Sequence, residues 1–167
     1  MGDTQENLQA AFAGESQANR RYLFFAEQAD KEGHSQIARL FRAVAKAETV
    51  HARNHLGVLG GIGSTKGNVE AAIKGEHYEF MKMYPGFLKT AKAEGNSGAE
   101  VTFDHANKVE KIHHSLYQKA LDAILGGKQL EDNPYAVCQI CGYTVAGEAP
   151  DKCPICVATR DKFKRVE

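Results

Sequence analysis

Glu48 and His51 stand three residues apart in AETVHARNH, inside a run that otherwise reads as an amphipathic helix. Residues at that spacing share one helical face. The device returns as Glu110 and His113 in VEKIHH. A lone glutamate precedes each copy: Glu15 lies 33 residues before Glu48, and Glu76 lies 34 residues before Glu110. Glu79 follows Glu76 by one turn. Apart from Glu79, these residues occupy the stripe where apolar side chains recur at steps of three and four. Leu8, Phe12, Glu15, Asn19, Tyr22 and Ala26 trace it in one helix, and Ile37, Phe41, Val44, Glu48, His51 and His55 in the next.

Five carboxylates and two imidazoles on inward faces demand compensation. An unpaired buried carboxylate costs several kcal/mol, and clustered ones repel or take up protons. No Lys or Arg lies on the stripe, so two metal cations are the natural counter-charges. Oxygen-rich sites with two imidazoles suit iron or manganese better than zinc or magnesium. A single E-x-x-H is a common surface pattern. Two copies, each partnered by a lone glutamate at matched separation, are specific and match the di-iron carboxylate arrangement. His55 fits a supporting hydrogen bond better than a ligand, and His34, His77, His105 and His114 fall off the stripes, where solvation is expected.

A second chemistry sits at the other end of the chain. Cys138, Cys141, Cys153 and Cys156 form C-x2-C, eleven residues, C-x2-C. A segment this short buries too little apolar area to fold unaided. Four thiolates in this spacing hold one tetrahedral ion, zinc or iron, and spacing does not choose between them. Gly142 follows the first pair, whereas Val157 follows the second, where a β-branched residue is strained at positive φ, so a distorted second knuckle is expected.

The elements that must position these groups follow from periodicity. Helices are predicted from Thr4 to Glu32, Ser35 to Leu59, Asn68 to Glu94, and from Ser97, opened by a Ser97–Glu100 capping box, to Gly126-Gly127. Pro85 should bend the third. Four such seams describe an all-α four-helix bundle (ferritin-like), built as two helical hairpins of one plan around a pseudo-twofold axis. The predicted boundaries are 1–130 for the bundle and 131–167 for a small C-terminal β/loop metal-binding domain, joined by GGKQLEDNPY.

The 167 residues carry 21 basic and 21 acidic side chains, which offers no footprint for nucleic acid. MGDTQENLQA has no apolar core of a signal peptide, and no run approaches transmembrane length. A cytoplasmic protein without a membrane partner is expected.

With these motifs assembled, the chain resembles the rubrerythrins over essentially its whole length. The segments that carry the resemblance are GESQANRRY, AETVHARNH, GEHYEFMKMYPGF, VEKIHHSLY, CQICGY and CPIC. It implies a rubredoxin-like C-terminal domain and an oxidative-stress enzyme reducing hydrogen peroxide to water at a di-iron centre. Glu48 and Glu110 are implied as bridging ligands, Glu15 as a ligand of the first iron, and Glu76 with His113 of the second. Glu79 and His51 are implied to exchange at the first iron, Glu79 in the oxidised state and His51 in the reduced one. Tyr22 and Tyr84 are implied to hydrogen-bond ligand carboxylates, and the four cysteines to hold one further iron, for which zinc is an admissible substitute. Implied partners are a rubredoxin or an NAD(P)H-dependent reductase, and a second copy of the chain in a head-to-tail homodimer. The Gly-rich connection at 57–67 permits helix pairs to be exchanged between copies. Two other classes compete: a ferroxidase or iron-storage protein, and an electron carrier with a structural zinc ribbon.

Overall fold

The structure is a computed structural model that describes residues 2–167. It divides into two compact units, one up to Gly63 and one from Ser64 onward.

The first unit is a helical hairpin of α1 (Thr4–Lys31) and α2 (Ser35–Val58). Asp3 caps α1 reciprocally with Glu6: the Glu6 amide donates to Asp3 Oδ1 at 2.9 Å, and the Asp3 amide to Glu6 Oε2 at 3.1 Å. Gly33, at φ 82°, closes the helix and lets the His34 amide donate to Ala29 O at 2.8 Å. That turn sends α2 back against α1. Ala26, Ala29, Ala38 and Ala45 are buried, and side chains this small allow the helices to approach closely. Asn19 ties the pair beside Glu48: its Nδ2 donates to Ala45 O at 2.7 Å and to Thr49 Oγ1 at 2.9 Å.

The second unit begins with α3 (Thr65–Tyr78), capped by Ser64, whose hydroxyl accepts from the Gly67 amide at 3.2 Å. A π-helical turn, Glu79–Met83, separates α3 from α4 (Tyr84–Glu94). The disturbance expected at Pro85 takes this form, and α3 begins at Thr65 rather than Asn68. Pro85 has no N–H to donate, and the chain responds by widening one turn, so that the Tyr84 amide reaches back five residues to Glu79 O. Helix α5 (Ser97–Leu125) follows Gly95, which adopts φ 67°. Its cap is also a correction: Asn96, not Ser97, accepts from the Ala99 amide at 3.0 Å, and Glu100 instead faces Lys92 at 3.8 Å. The helix starts one residue earlier than the motif implies, and Asn caps as well as Ser.

The repeat seen in the sequence extends to the packing. Tyr22, Phe25 and Phe41 form a trio with ring centroids 5.6–6.3 Å apart, and Tyr84, Phe87 and Phe103 form its counterpart at 5.5–6.2 Å. Phe41 precedes Glu48 by seven residues, as Phe103 precedes Glu110. Tyr22 follows Glu15 by seven, but Tyr84 follows Glu76 by eight. The π turn absorbs that one extra residue and returns Tyr84 to the place Tyr22 holds in the first pair. It begins at Glu79, a position with no acidic counterpart in α1.

After α5, a three-stranded antiparallel sheet of order β2-β1-β3 forms from β1 (Tyr135–Cys138), β2 (Thr144–Ala146) and β3 (Phe163–Val166). Ala136 pairs with Val145 on one side and Arg165 on the other. The first cysteine turn rests on α5, where Val109 is buried and a methyl added at Gly142 would lie 3.7 Å from Val109 Cγ1. No helix among the described residues is long and apolar enough to cross a membrane.

Candidate metal centres

Three clusters of metal-ligating groups emerge, each with its donor atoms within 4.8 Å of one another. In the first unit, Glu15 on α1 meets Glu48 and His51 on α2. His51 Nδ1 lies 2.9 Å from Glu48 Oε2 and 3.8 Å from Glu15 Oε1. In the second unit, Glu76 on α3 meets Glu110 and His113 on α5. His113 Nδ1 lies 2.7 Å from Glu110 Oε2 and 3.7 Å from Glu76 Oε2. The two triads repeat one plan down to the atom: each imidazole presents Nδ1 to the carboxylate three residues earlier on its helix.

The second triad is the more enclosed, and its electrostatics show what is missing. Burial, a hydrogen bond shared with Glu110 and the charges of Glu110 and Glu79 push the Glu76 carboxyl up to about 7. Burial and the Glu110 charge raise Glu79 as well. Burial also acts on Glu110, but hydrogen bonds from His113 and Glu76 outweigh it and hold its carboxyl below the usual range. The hydrogen bond to Glu110 raises His113 against the opposing effect of burial. Glu76 Oε2 is buried and has no hydrogen-bond partner. The orphaned Glu76 oxygen lies 3.7 Å from His113 Nδ1, which itself lies 2.7 Å from Glu110. The donor set fits a metal ion.

The far nitrogens differ. His113 Nε2 lies 3.1 Å from Thr144 Oγ1 of β2, whose hydroxyl donates to Gly142 O at 3.0 Å. His51 Nε2 makes no hydrogen bond among the described residues, and the His51 side chain is 53% exposed against 25% for His113. One imidazole is held from both sides, the other from one.

Glu79 lies outside both triads, on the π turn and close enough to Glu110 to be shifted by its charge. Tyr84 is half-buried next to the second triad. Burial and the charges of Glu110, Glu79 and Glu76 raise its hydroxyl, which keeps it a neutral donor. Tyr22 packs on Phe25 and Phe41. Neither tyrosine hydrogen-bonds a carboxylate among the described residues. His77 and His114 are not simply solvated: their rings pack on Phe80 with centroids 5.3 and 5.5 Å away. Sequence reasoning also missed Thr144, which lies 31 positions from His113 and carries no local signal.

The third cluster is the four cysteines, all unlinked thiols. Cys138 and Cys156 sulfurs are 3.6 Å apart, and those of Cys141 and Cys153 are 3.5 Å apart. A tetrahedron with metal–sulfur bonds of about 2.3 Å has edges of about 3.8 Å, so the cage is nearly the size of one ion. Burial pushes the Cys141 and Cys156 thiols up. For Cys153, backbone N–H groups of Cys156 and Ile155 overcome burial and pull the thiol down.

The second knuckle is not distorted. The Gly142 amide donates to Cys138 O at 2.9 Å, and the Val157 amide to Cys153 O at 3.0 Å. Cys138 and Cys153 amides donate to Tyr143 O and Ala158 O at 2.9 and 2.8 Å. Val157 accepts φ 60° to complete this pattern, with its side chain 69% exposed. Left-handed strain of about 1–2 kcal/mol exceeds the entropic cost of glycine, about 0.5–1 kcal/mol. Val157→Gly is therefore expected to raise stability by roughly 0.5–1 kcal/mol, seen as a rise of about 4 °C or more in the thermal midpoint for loss of the thiolate–metal absorption. A lower midpoint would contradict the strain.

Two helix pairs of one plan with E-x-x-H triads, followed by a four-cysteine sheet domain, define the class: a ferritin-like helical protein with a rubredoxin-like appendage. Comparison with known proteins gives the family. The Rubrerythrin family model matches residues 6–121, and the model "Rubrerythrin, rubredoxin-like domain" matches residues 137–164. The chain is 38% identical to Rubrerythrin-2 of Clostridium acetobutylicum, over 96% of this chain and 95% of the relative. It is also 38% identical to nigerythrin of Nitratidesulfovibrio vulgaris, over 98% and 86%. A solved structure of nigerythrin in a mixed-valence state matches with a TM-score of 0.58 and 37% identity, covering 99% of this chain and 87% of that one. The chain belongs to the rubrerythrin family, whose members carry a di-iron site and a rubredoxin-like iron site.

Proposed function

We propose that this chain reduces hydrogen peroxide to water, with electrons supplied through the four-cysteine site by a rubredoxin or an NAD(P)H-dependent reductase. The observation that carries the reading is the pair of matched triads beside a four-thiolate cage. When bound, two irons that each change by one electron supply the two electrons that cleavage of the O–O bond requires, two protons completing two waters.

The residues divide the remaining work. Glu15, Glu48 and Glu110 would hold the ions together with Glu76 and His113, with Glu48 and Glu110 as the carboxylates able to serve both. His113, held at both ring nitrogens, is the fixed imidazole. His51, held at one and half-exposed, and Glu79, on the widened π turn, would be alternative ligands of the first ion, a neutral imidazole and a carboxylate that differ by one charge. Tyr84 retains its phenolic proton beside these carboxylates and can donate it as a hydrogen bond.

The reading includes a head-to-tail homodimer with helix pairs exchanged across residues 57–67. Sedimentation of the metal-loaded protein should give at least a dimer.

The activity test is direct. Fully reduced protein mixed anaerobically with one equivalent of peroxide should reoxidise at once, and Glu79→Ala should slow turnover more than it lowers iron content. Reduced iron left untouched by peroxide would overturn the assignment. A storage protein would instead accumulate iron far beyond the roughly three ions per chain that these clusters hold.

A further inference from the structure

The first cysteine knuckle and the second triad are built onto the same stretch of α5. Gly142 packs over Val109, and Thr144, three residues beyond Cys141, meets His113 one turn further along the helix. The Thr144 hydroxyl has one proton, and the 3.0 Å contact to Gly142 O takes it. Its remaining capacity toward His113 is as an acceptor, so His113 Nε2 carries a proton. That tautomer leaves Nδ1, the nitrogen facing Glu110 and Glu76, as the one able to ligate. Gly142 is itself fixed by the knuckle, through its amide bond to Cys138 O at 2.9 Å. A continuous chain of contacts therefore runs from the first knuckle to the far nitrogen of His113 within one chain, through Cys138 O, Gly142 and Thr144 Oγ1, and the Gly142 carbonyl also accepts from His113 directly.

We propose that Thr144 is a positioning residue for His113, and that through it the four-cysteine site and the Glu76–Glu110–His113 cluster bind metal cooperatively within one chain. This rests on the cluster being a metal site but not on peroxide being the substrate. Outer partners of ligating histidines commonly govern affinity by about 10–100-fold. Here the partner is carried by a knuckle that is ordered only when its own metal is in place. Filling the cage sets the Gly142–Thr144 segment, and that segment sets the His113 ring. Linkage is reciprocal, so metal on His113 should also tighten the cage. The first triad has no such tether, since His51 Nε2 is without a partner among the described residues.

The test uses the full-length protein loaded with zinc, which is diamagnetic and needs no turnover. Calorimetric titration should show a tight class for the thiolates and a weaker class for the carboxylate–imidazole clusters. Thr144→Val should weaken zinc binding at the second triad about 10-fold or more, with one zinc per chain still held by the four thiolates. Thr144→Ser, which keeps the hydroxyl, should restore binding to near the wild-type value. In wild type and Thr144→Ser, ¹⁵N-histidine spectra should show a slowly exchanging His113 Nε2–H that exchanges faster in Thr144→Val, where the Gly142 carbonyl is the acceptor left. Wild-type affinity in Thr144→Val, no rescue by serine, or an unprotonated His113 Nε2 in the zinc-loaded wild type would each overturn the proposal. The wild-type spectrum decides even if the valine variant does not fold. If peroxide leaves reduced wild type unchanged, the enzymatic reading falls while the zinc experiment still judges Thr144.

Discussion

Cys153→Ser should strip the metal from the C-terminal domain and unfold residues 133–167 while leaving the helices intact. Within this segment only Ala136, Cys138 and Cys153 are buried, so two of the three core side chains are ligands. A four-thiolate ion contributes on the order of 10–16 kcal/mol to a small domain, against which the remaining apolar burial is minor. Loss of one thiolate also leaves three sulfurs in a site where burial already raises Cys141 and Cys156. The expected readouts are loss of one metal ion per chain, disappearance of the thiolate–metal absorption, and collapse of amide dispersion for β1–β3. Far-UV circular dichroism should stay close to wild type, because α1–α5 hold the helical content. A variant that kept its metal would show that the cage is not what folds the domain.

Glu76→Gln should move stability and metal binding in opposite directions. In the metal-free protein, Glu76 is pushed up to about 7 by burial and by Glu110, and one of its oxygens is orphaned. The native state therefore binds more protons than the unfolded state between about 4.5 and 7. Below that window both states are protonated and nothing is lost. As pH rises through it, the metal-free protein loses stability, and above it the full penalty of an ionised Glu76 is present. Glutamine removes the charge, so the variant should be more stable than metal-free wild type by about 1–3 kcal/mol at pH 8 and nearly equal to it at pH 4.5. The His113 shift has the same sense, since stability gained from its protonation is lost as pH rises. With metal supplied the order reverses: wild type is stabilised, whereas the variant lacks a charged ligand and should retain little metal in the second triad. Wild-type affinity at that triad should fall about tenfold for each pH unit below 7 through the Glu76 proton alone. Denaturant midpoints at the two pH values, with and without metal, check every sign. Equal midpoints at pH 8 without metal would mean that Glu76 is not under strain.

Both results turn on the same design. Glu76, Glu79, Cys141 and Cys156 stand where burial disfavours their charged forms, and bound cations would relieve them. A family that carries a di-iron site and a rubredoxin-like site needs polar groups on inward faces, and the wrong-looking residues of the seams are the candidates for those groups.

Features confined to one helix or one turn were legible in the sequence. Glu48 with His51, and Glu110 with His113, meet because three residues span less than one helical turn, whatever surrounds them. Each cysteine pair meets because its knuckle is a local hydrogen-bonded loop, and Val157 takes up φ 60° because that loop demands it. The seams, the paired plan and the change of composition before Tyr135 were readable for the same reason: periodicity and turn chemistry act over a few residues. Other features depended on competition or on distance. Pro85 announced a disturbed helix, but whether the chain bends or widens is settled by packing, and the π turn at Glu79–Met83 keeps Tyr84 with Phe87 and Phe103. Asn96 displaced Ser97 as a cap because two adjacent residues had comparable claims. The unequal holding of the two imidazoles had no trace in the sequence. His51 and His113 share one motif, and only the docking of β2 on α5, which brings Thr144 across 31 positions, holds His113 at both ring nitrogens where His51 is held at one.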